Sequence, residues 1–199
     1  MKKLLLLLLL SLAYIGSANA NSIQGAFGYK LGEVFDSPDT GIDYHDFIPK
    51  VPLPGLDRYT IFTTMTDKKI YQIRGLTTDD NYPNNSSYGF NNYCTSLSSS
   101  PHHKILELLR VKYGQFKKVN DDYDKYTSPK FGEVEWIGLD YKFEDGDRFI
   151  YLECLAITGV GQYTLRLDYV DWTLHTQWNQ ELSEFLKNKL EDEASDYDM

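Results

Sequence analysis

The sequence is poor in cysteine and in positive charge, and it has no long hydrophobic run beyond its first twenty residues. Its 199 residues include 2 cysteines and 20 Lys or Arg against 29 Asp or Glu, which gives a formal net charge of −9. Nucleic acids and anionic membranes bind clustered Lys and Arg, so we expect neither as a partner. Acidity of this kind keeps a protein soluble, or it suits a basic protein partner or a cation.

The sequence also lacks the short motifs that mark common enzyme classes. It contains no GxSxG, no phosphate-binding loop, no HExxH and no CxxC. Gly25-Ala26-Phe27-Gly28 lacks the preceding strand and following helix of a dinucleotide site, so its glycines are expected in tight turns. No cofactor and no metal are predicted, and an enzyme is the less favoured function.

The N-terminus has the pattern of a secretory signal peptide. Lys2 and Lys3 precede an apolar run from Leu4 to Ile15, which is too short for a membrane anchor, and Ala18 and Ala20 form a small-x-small cleavage site. Cleavage of residues 1–20 moves the formal charge from −9 to −11. We therefore expect an exported protein, periplasmic or secreted, with no membrane insertion once the signal is removed.

Cys94 and Cys154 are the only cysteines, and an oxidising compartment favours a disulfide between them. The bond would close a loop of about 60 residues, worth about 4 kcal/mol in the chain-entropy model. Two alternatives are a metal ligand and a catalytic thiol, with His102 or His103 near Cys94 as its base. Cys154 lies inside an apolar strand, which favours the structural bond.

Hydrophobic periodicity predicts an α+β fold: an antiparallel sheet of about five strands with two helices packed on one face. Ser100 and Pro101 are typical of a helix start and Gly114 of a helix end. Residues 21–190 are expected to form one domain, with hairpin-helix halves at 25–115 and 130–190 as an alternative, and 191–199 an acidic disordered tail. The predicted strands are 59–66, 70–77, 134–143, 148–157 and 162–171, and the predicted helices are 101–113 and 176–190.

The second predicted helix carries an apolar stripe that we expect to be buried. The stripe consists of Trp178, Leu182, Phe185, Leu186 and Leu190.

A polar loop at 79–100 offers the predicted binding surface. The chain contains 16 tyrosines, and the loop places several aromatic residues among Asn, Ser and Asp. Aromatic side chains dominate the binding energy of many interfaces, although packing on a sheet accounts for most tyrosines. The candidate contact residues are Tyr82, Tyr88, Phe90 and Tyr93.

Histidines and acidic clusters offer weaker sites. His102 and His103 are adjacent on a helix and cannot easily ligate one ion, whereas His45 and His175 stand alone. Any of the four could join a carboxylate in a hydrolase site. The acidic stretches 121–124 and 144–147 lack the twelve-residue calcium pattern and are interpreted as solvated turns.

The segment GAFGYKLGEVF at 25–35, the hairpin YTIFTTMTDKKIYQIRG and the helix end Lys112-Tyr113-Gly114 resemble a group of small bacterial exported proteins with an FG-x-x-LG opening. The layout is also similar to exported modules of the β-lactamase-inhibitor-protein type, which bind other proteins on an aromatic sheet face. These resemblances imply a non-enzymatic protein-binding or inhibitor-like module with an unknown protein partner. The alternatives are a small envelope hydrolase with a His/carboxylate site and a purely structural envelope protein.

Overall fold

The structure is a computed structural model that describes residues 22–36, 43–79, 91–97, 100–120, 123–128, 132–157 and 162–197. The ten strands are β1 Gly25–Ala26, β2 Tyr29–Lys30, β3 Tyr44–Asp46, β4 Arg58–Thr63, β5 Ile70–Asp79, β6 Lys117–Asn120, β7 Tyr123–Ser128, β8 Gly132–Asp145, β9 Arg148–Ile157 and β10 Gln162–Asp171. The two α-helices are α1 Pro101–Tyr113 and α2 Trp172–Tyr197, and a π-helical turn covers Asn91–Thr95.

Within these residues, eight strands form one antiparallel sheet and β1 pairs with β2 in a separate hairpin. The order is β3-β4-β5-β10-β9-β8, and β6 and β7 both pair with the outer edge of β8. The predicted α+β class is confirmed, but the expected count of about five strands is wrong. The strands that the periodicity missed, β3, β6 and β7, are short or polar and carry no apolar alternation.

The two faces of the sheet differ in polarity, as the central strands β9 and β10 show. Along β10, Tyr163, Leu165 and Leu167 are buried in the hydrophobic core, whereas Arg166 and Asp168 lie on the opposite side. We call these sides the core face and the open face. Strand β9 alternates in the same way and lies between β8 and β10.

Helix α1 covers the core face with the bounds and caps that the sequence predicts. The Ser100 hydroxyl accepts a hydrogen bond from the His103 backbone N–H at 3.1 Å, and Pro101 occupies the first helical position. Gly114 ends the helix with a φ of 99°, and its N–H donates to the Arg110 carbonyl oxygen at 2.9 Å. The conformation at Gly114 is one that L side chains rarely adopt, so glycine is favoured there.

Helix α2 lies on the other side of the sheet, so the two helices do not share one face. It begins where β10 ends, because the Asp171 carboxylate accepts a hydrogen bond from the Leu174 N–H at 3.2 Å. Its first turns pack on the open-face side, with the Trp178 ring 5.4 Å from the Tyr71 ring. The helix continues through Tyr197 and so includes most of the expected tail at 191–199.

The predicted buried stripe of α2 is wrong in its second half. Trp178 and Leu182 are partly buried, but Phe185, Leu186 and Leu190 are 52%, 49% and 66% exposed. The reason is length: the residues of α2 from 183 to 193 are all exposed, so the sheet offers this half of the helix no surface to pack against.

Among the described residues, no helix is long and apolar enough to cross a membrane.

One arginine joins the N-terminal hairpin, the sheet and α2. Arg148 at the start of β9 pairs through Nε with the Asp171 carboxylate at 3.0 Å. The same guanidinium donates to the backbone carbonyl oxygens of Ile23, at 2.9 Å, and Leu31, at 3.3 Å. It therefore fixes both ends of the 23–31 segment against the sheet.

The predicted disulfide between Cys94 and Cys154 is confirmed. Their Cα atoms are 5.7 Å apart, and both residues are buried in the core. The bond connects the π-helical turn before α1 to the middle of β9. The thiol alternative is excluded, because both sulfurs are bonded.

Replacing Cys94 and Cys154 together by Ala should lower the free energy of unfolding by about 4 kcal/mol, because the bond restricts a 60-residue loop in the unfolded chain. Urea unfolding followed by tyrosine fluorescence measures the loss. Reductant should lower the midpoint of the native protein and leave that of the double variant unchanged. A native midpoint that is insensitive to full reduction would contradict this role.

Candidate functional site

The open face of the sheet brings charged residues from β5, β9 and β10 into two rows. Strand register places Asp168 opposite Arg74 on β5 and opposite Tyr151 on β9. In the neighbouring row, Arg166 lies opposite Glu153. The two rows run across the strands, so side chains distant in sequence become cross-strand neighbours.

Asp168 is the centre of this network and is almost completely buried, with 6% of its side chain exposed. Arg74 Nε lies 2.8 Å from one carboxylate oxygen, and Arg166 Nε lies 3.2 Å from the other. Arg166 also pairs with Glu153 at 3.1 Å. A buried carboxylate needs such partners, and these ion pairs place both guanidinium groups beside Asp168. Arg74 also donates hydrogen bonds to this carboxylate, whereas Arg166 Nε has no hydrogen-bond partner among the described residues.

Burial changes the proton affinity of the groups beside this network. Burial raises the pKa of Glu153, although Arg166 opposes the shift. Burial also raises the pKa of the Tyr151 hydroxyl, with a further contribution from the Asp140 carboxylate to which it donates a hydrogen bond. The Tyr151 hydroxyl therefore stays protonated at neutral pH and acts as a donor.

A groove of about 560 Å³ lies along this face, between the start of α2 and strand β6. Trp172 is 55% exposed, and its ring stacks on His175 at 5.2 Å and lies 6.2 Å from the Phe149 ring. Burial lowers the pKa of His175, which favours the neutral ring. We call this feature the open-face groove. Its aromatic wall consists of Trp172, His175 and Phe149, and its charged floor consists of Arg74, Arg166 and Asp168.

Basic side chains outnumber acidic ones in the lining of the open-face groove, and each of them is paired with a carboxylate. The lining contains three basic side chains, Arg74, Lys142 and Arg166, and one acidic side chain, Asp168. The Arg166 guanidinium also lies 5.7 Å from the centre of the Tyr151 ring. The groove can therefore receive an acidic group on its floor and apolar surface on its wall.

Of the aromatic residues predicted for binding, the structure describes only Tyr93, and Tyr93 is not part of the open-face groove. Tyr93 is partly buried, and its ring lies 4.4 Å from the Tyr163 ring on the core face. Tyr82, Tyr88 and Phe90 fall outside the described residues, as do Ala18 and Ala20 of the predicted cleavage site.

The four histidines lie in three separate parts of the fold. His45 on β3 packs against the Phe35 ring at 5.1 Å, and His103 lies in the first turn of α1. His102 is buried beside the disulfide, and His175 lies in the open-face groove. In the part of the chain that the structure describes, no three His, Cys, Asp or Glu residues are grouped to hold a metal ion.

The acidic turn at 144–147 has a structural role. The Asp145 carboxylate accepts a hydrogen bond from the Ile23 N–H at 3.0 Å, and the Asp147 carbonyl oxygen accepts one from the Trp172 N–H at 2.8 Å. The turn therefore anchors the N-terminal segment and the start of α2. In the other stretch, residues 121–122 fall outside the described residues.

Sequence reasoning missed Arg74, Glu153 and Trp172 as site residues. A signal exists for Glu153, because it is a charged residue between apolar neighbours in the middle of β9, whereas the strand of Arg74 mixes polar and apolar residues. The alternation along β10 already puts Arg166 and Asp168 on one face. Which residues of β5 and β9 meet them depends on register, and register is set by contacts distant in sequence.

The chain matches no protein-family model, no curated protein and no solved structure. The resemblance to exported binding modules therefore remains an expectation from sequence.

His102 should make stability fall as the pH is lowered. Its Nδ1 lies 3.0 Å from the Cys94 carbonyl oxygen and Nε2 has no hydrogen-bond partner among the described residues, so burial lowers the pKa of His102 to about 4. The unfolded chain takes up a proton near pH 6.5 and the folded protein only near pH 4, so acidification favours unfolding. The loss between pH 7 and pH 4 should be about 3 kcal/mol.

Urea unfolding at pH 7 and pH 4 measures this loss. His102→Asn keeps an N–H that can donate to the Cys94 carbonyl oxygen and removes the titrating ring, so its stability should depend less on pH. His103→Asn is the matched control, since the neighbouring ring is not enclosed, and it should behave like the native protein. Equal pH dependence in native protein and His102→Asn would refute this account.

Proposed function

We propose that the protein is an exported, non-enzymatic protein-binding module, and that the open-face groove is its contact surface. The observation that carries this proposal is the fixed pair of guanidinium groups, Arg74 and Arg166, beside the exposed Trp172 ring. Arginine and tryptophan are enriched among residues that dominate interface energy. Because Asp168 already holds the two arginines, their ordering costs little on binding.

The partner that fits this surface is a folded protein that inserts an acidic loop. Three basic residues against one acidic residue in the lining favour a carboxylate over Arg74 and Arg166. The Trp172 and Phe149 rings would cover an apolar side chain next to that carboxylate. The groove of about 560 Å³ accommodates a loop rather than a whole helix.

Export is supported by the disulfide and by the sequence of the N-terminus. Buried disulfides form and persist outside the reducing cytosol. The Cys94–Cys154 bond therefore fits the compartment that the predicted signal peptide specifies. An inhibitor of a secreted or periplasmic protein would act in that compartment.

Export should remove residues 1–20. We expect the protein recovered outside the cytoplasm to have the mass of a chain that begins at Asn21, because Ala18 and Ala20 satisfy the signal peptidase. Intact-mass spectrometry of the native protein measures this. Ala20→Arg should block cleavage. A native protein that retains all 199 residues would contradict the prediction.

A photo-crosslinking side chain placed at Trp172 should capture the partner in the protein's native cells, because this ring lies exposed at the groove wall. The same side chain at Val111, which is 88% exposed on the core-face helix α1, is the matched control and should give no adduct. The captured partner is then purified and its affinity is measured by calorimetry. Trp172→Ala should weaken binding by about 10- to 100-fold, as loss of a central interface aromatic does.

Arg166→Gln should weaken the same complex and reduce the salt dependence of its association rate, since it removes a charge from the groove floor. Arg58→Gln removes an arginine from β4 outside the groove and should change neither quantity. Circular dichroism verifies that each variant is folded. Equal adducts at positions 172 and 111, or unchanged affinity in both groove variants, would disprove the proposed contact surface.

A further inference from the structure

A second cavity, of about 420 Å³, lies on the core-face side of the sheet and is separate from the open-face groove. It is bounded by α1, by the turn of the β1–β2 hairpin and by the segment 50–53. Its volume falls in the range of small-molecule sites, about 300–1,000 Å³. We call it the helix cavity.

The deep part of the helix cavity is apolar. Ile105 and Leu109 of α1 and Tyr169 of β10 line it, and each is at most 4% exposed. Nearer the surface, the lining includes Leu108 and Val51, which are 53% and 79% exposed. When an apolar ligand covers the exposed apolar side chains at the mouth of the cavity, the free energy of the complex is lowered.

Phe27 forms one wall and is held in an unusual backbone conformation. Its φ of 56° is rare for a residue with a side chain, and such strain is found where the surrounding structure fixes it. The ring packs edge-on against Tyr59 at 4.9 Å and Tyr169 at 6.2 Å. Arg148 fixes the chain on both sides of this turn. The wall is therefore preformed.

The polar lining of the helix cavity carries only positive charge. Lys50 and Lys112 are exposed residues of the lining, which contains no Asp or Glu. Within the described residues, neither lysine forms an ion pair, and the Lys112 ammonium lies over the Tyr113 ring at 4.8 Å. Two lysines free of carboxylates are a specific feature in a chain with a net charge of −9. They favour an anionic ligand group.

We propose that the helix cavity binds a single-chain anionic amphiphile, with the acyl chain on the apolar floor and the carboxylate or phosphate group between Lys50 and Lys112. A second copy of this chain could instead bring the exposed stripe Phe185, Leu186 and Leu190 of α2 to the same mouth. A helix with its side chains is about 10–12 Å wide, whereas a single acyl chain is much narrower and is the better match for a cavity of about 420 Å³.

Calorimetric titration of the purified protein, below the critical micelle concentration, tests the proposal. The probes are dodecanoate, dodecyl phosphate, dodecanol and dodecyltrimethylammonium. We expect one site for each anion, at least tenfold weaker binding of the alcohol and no binding of the cation. The tighter of the two anions identifies the headgroup as a carboxylate or a phosphate.

Variants show whether Lys50 and Lys112 bind the anion at the cavity or whether any positive charge on the surface has the same effect. Lys50→Gln with Lys112→Gln should weaken dodecanoate at least tenfold, and Leu108→Glu should do the same. Lys104→Gln, on the same helix but outside the cavity, is the matched control and should stay within twofold. All four substituted side chains are exposed, and thermal unfolding verifies their folding.

Three results would overturn the proposal. The first is equal affinity for the anion, the alcohol and the cation, which identifies an unspecific apolar crevice. The second is no binding of any probe below the micelle concentration. The third is a concentration-dependent dimer in light scattering that both Leu108→Glu and Phe185→Glu abolish, which shows that α2 of a second copy covers the cavity.

Discussion

Arg148 holds three parts of the chain together through one guanidinium group. It pairs with Asp171, which caps α2, and it donates to the carbonyl oxygens of Ile23 and Leu31 on either side of the hairpin turn. The hairpin forms a wall of the helix cavity, and the start of α2 forms a wall of the open-face groove. Both proposed sites therefore depend on the same side chain. A lysine could not replace it, because one ammonium lacks the fork of donors that serves three acceptors.

The two faces of the sheet explain why one small domain offers two different surfaces. Alternation along β10 sends Leu165 and Leu167 into the core and Arg166 and Asp168 to the other side. The core face needs a cover, which α1 supplies incompletely, and the gap is an apolar cavity. The open face keeps its charges paired across strands and is covered by α2 only at one end. A ligand on one face leaves the other accessible.

Local sequence signals predicted the parts of the fold that local physics determines. Ser100, Pro101 and Gly114 placed α1 correctly because capping depends on neighbouring residues alone. The period-two pattern located β10 and most of β8, an apolar run located β9, and the cysteine count gave the disulfide. The pairing of Asp168 with Arg74 spans 94 residues and follows from register, which no local pattern encodes.

Helix α2 is a case in which a local pattern led to a wrong prediction. Its apolar stripe predicted burial. However, an apolar stripe shows only that one side of a helix is suited to packing, and it does not show whether the same chain supplies the surface that packs there. The outer half of α2 extends past the sheet.

The disulfide also determines what happens if the backbone is cut. The bond joins Cys94 to Cys154, so the segment between them is a closed covalent ring, and α1 and strand β8 both lie within it. A single peptide bond broken by a protease inside this ring would leave both fragments in one molecule. Strand pairing would then still hold β8 against β9. We therefore expect a molecule nicked once in this ring to keep its shape.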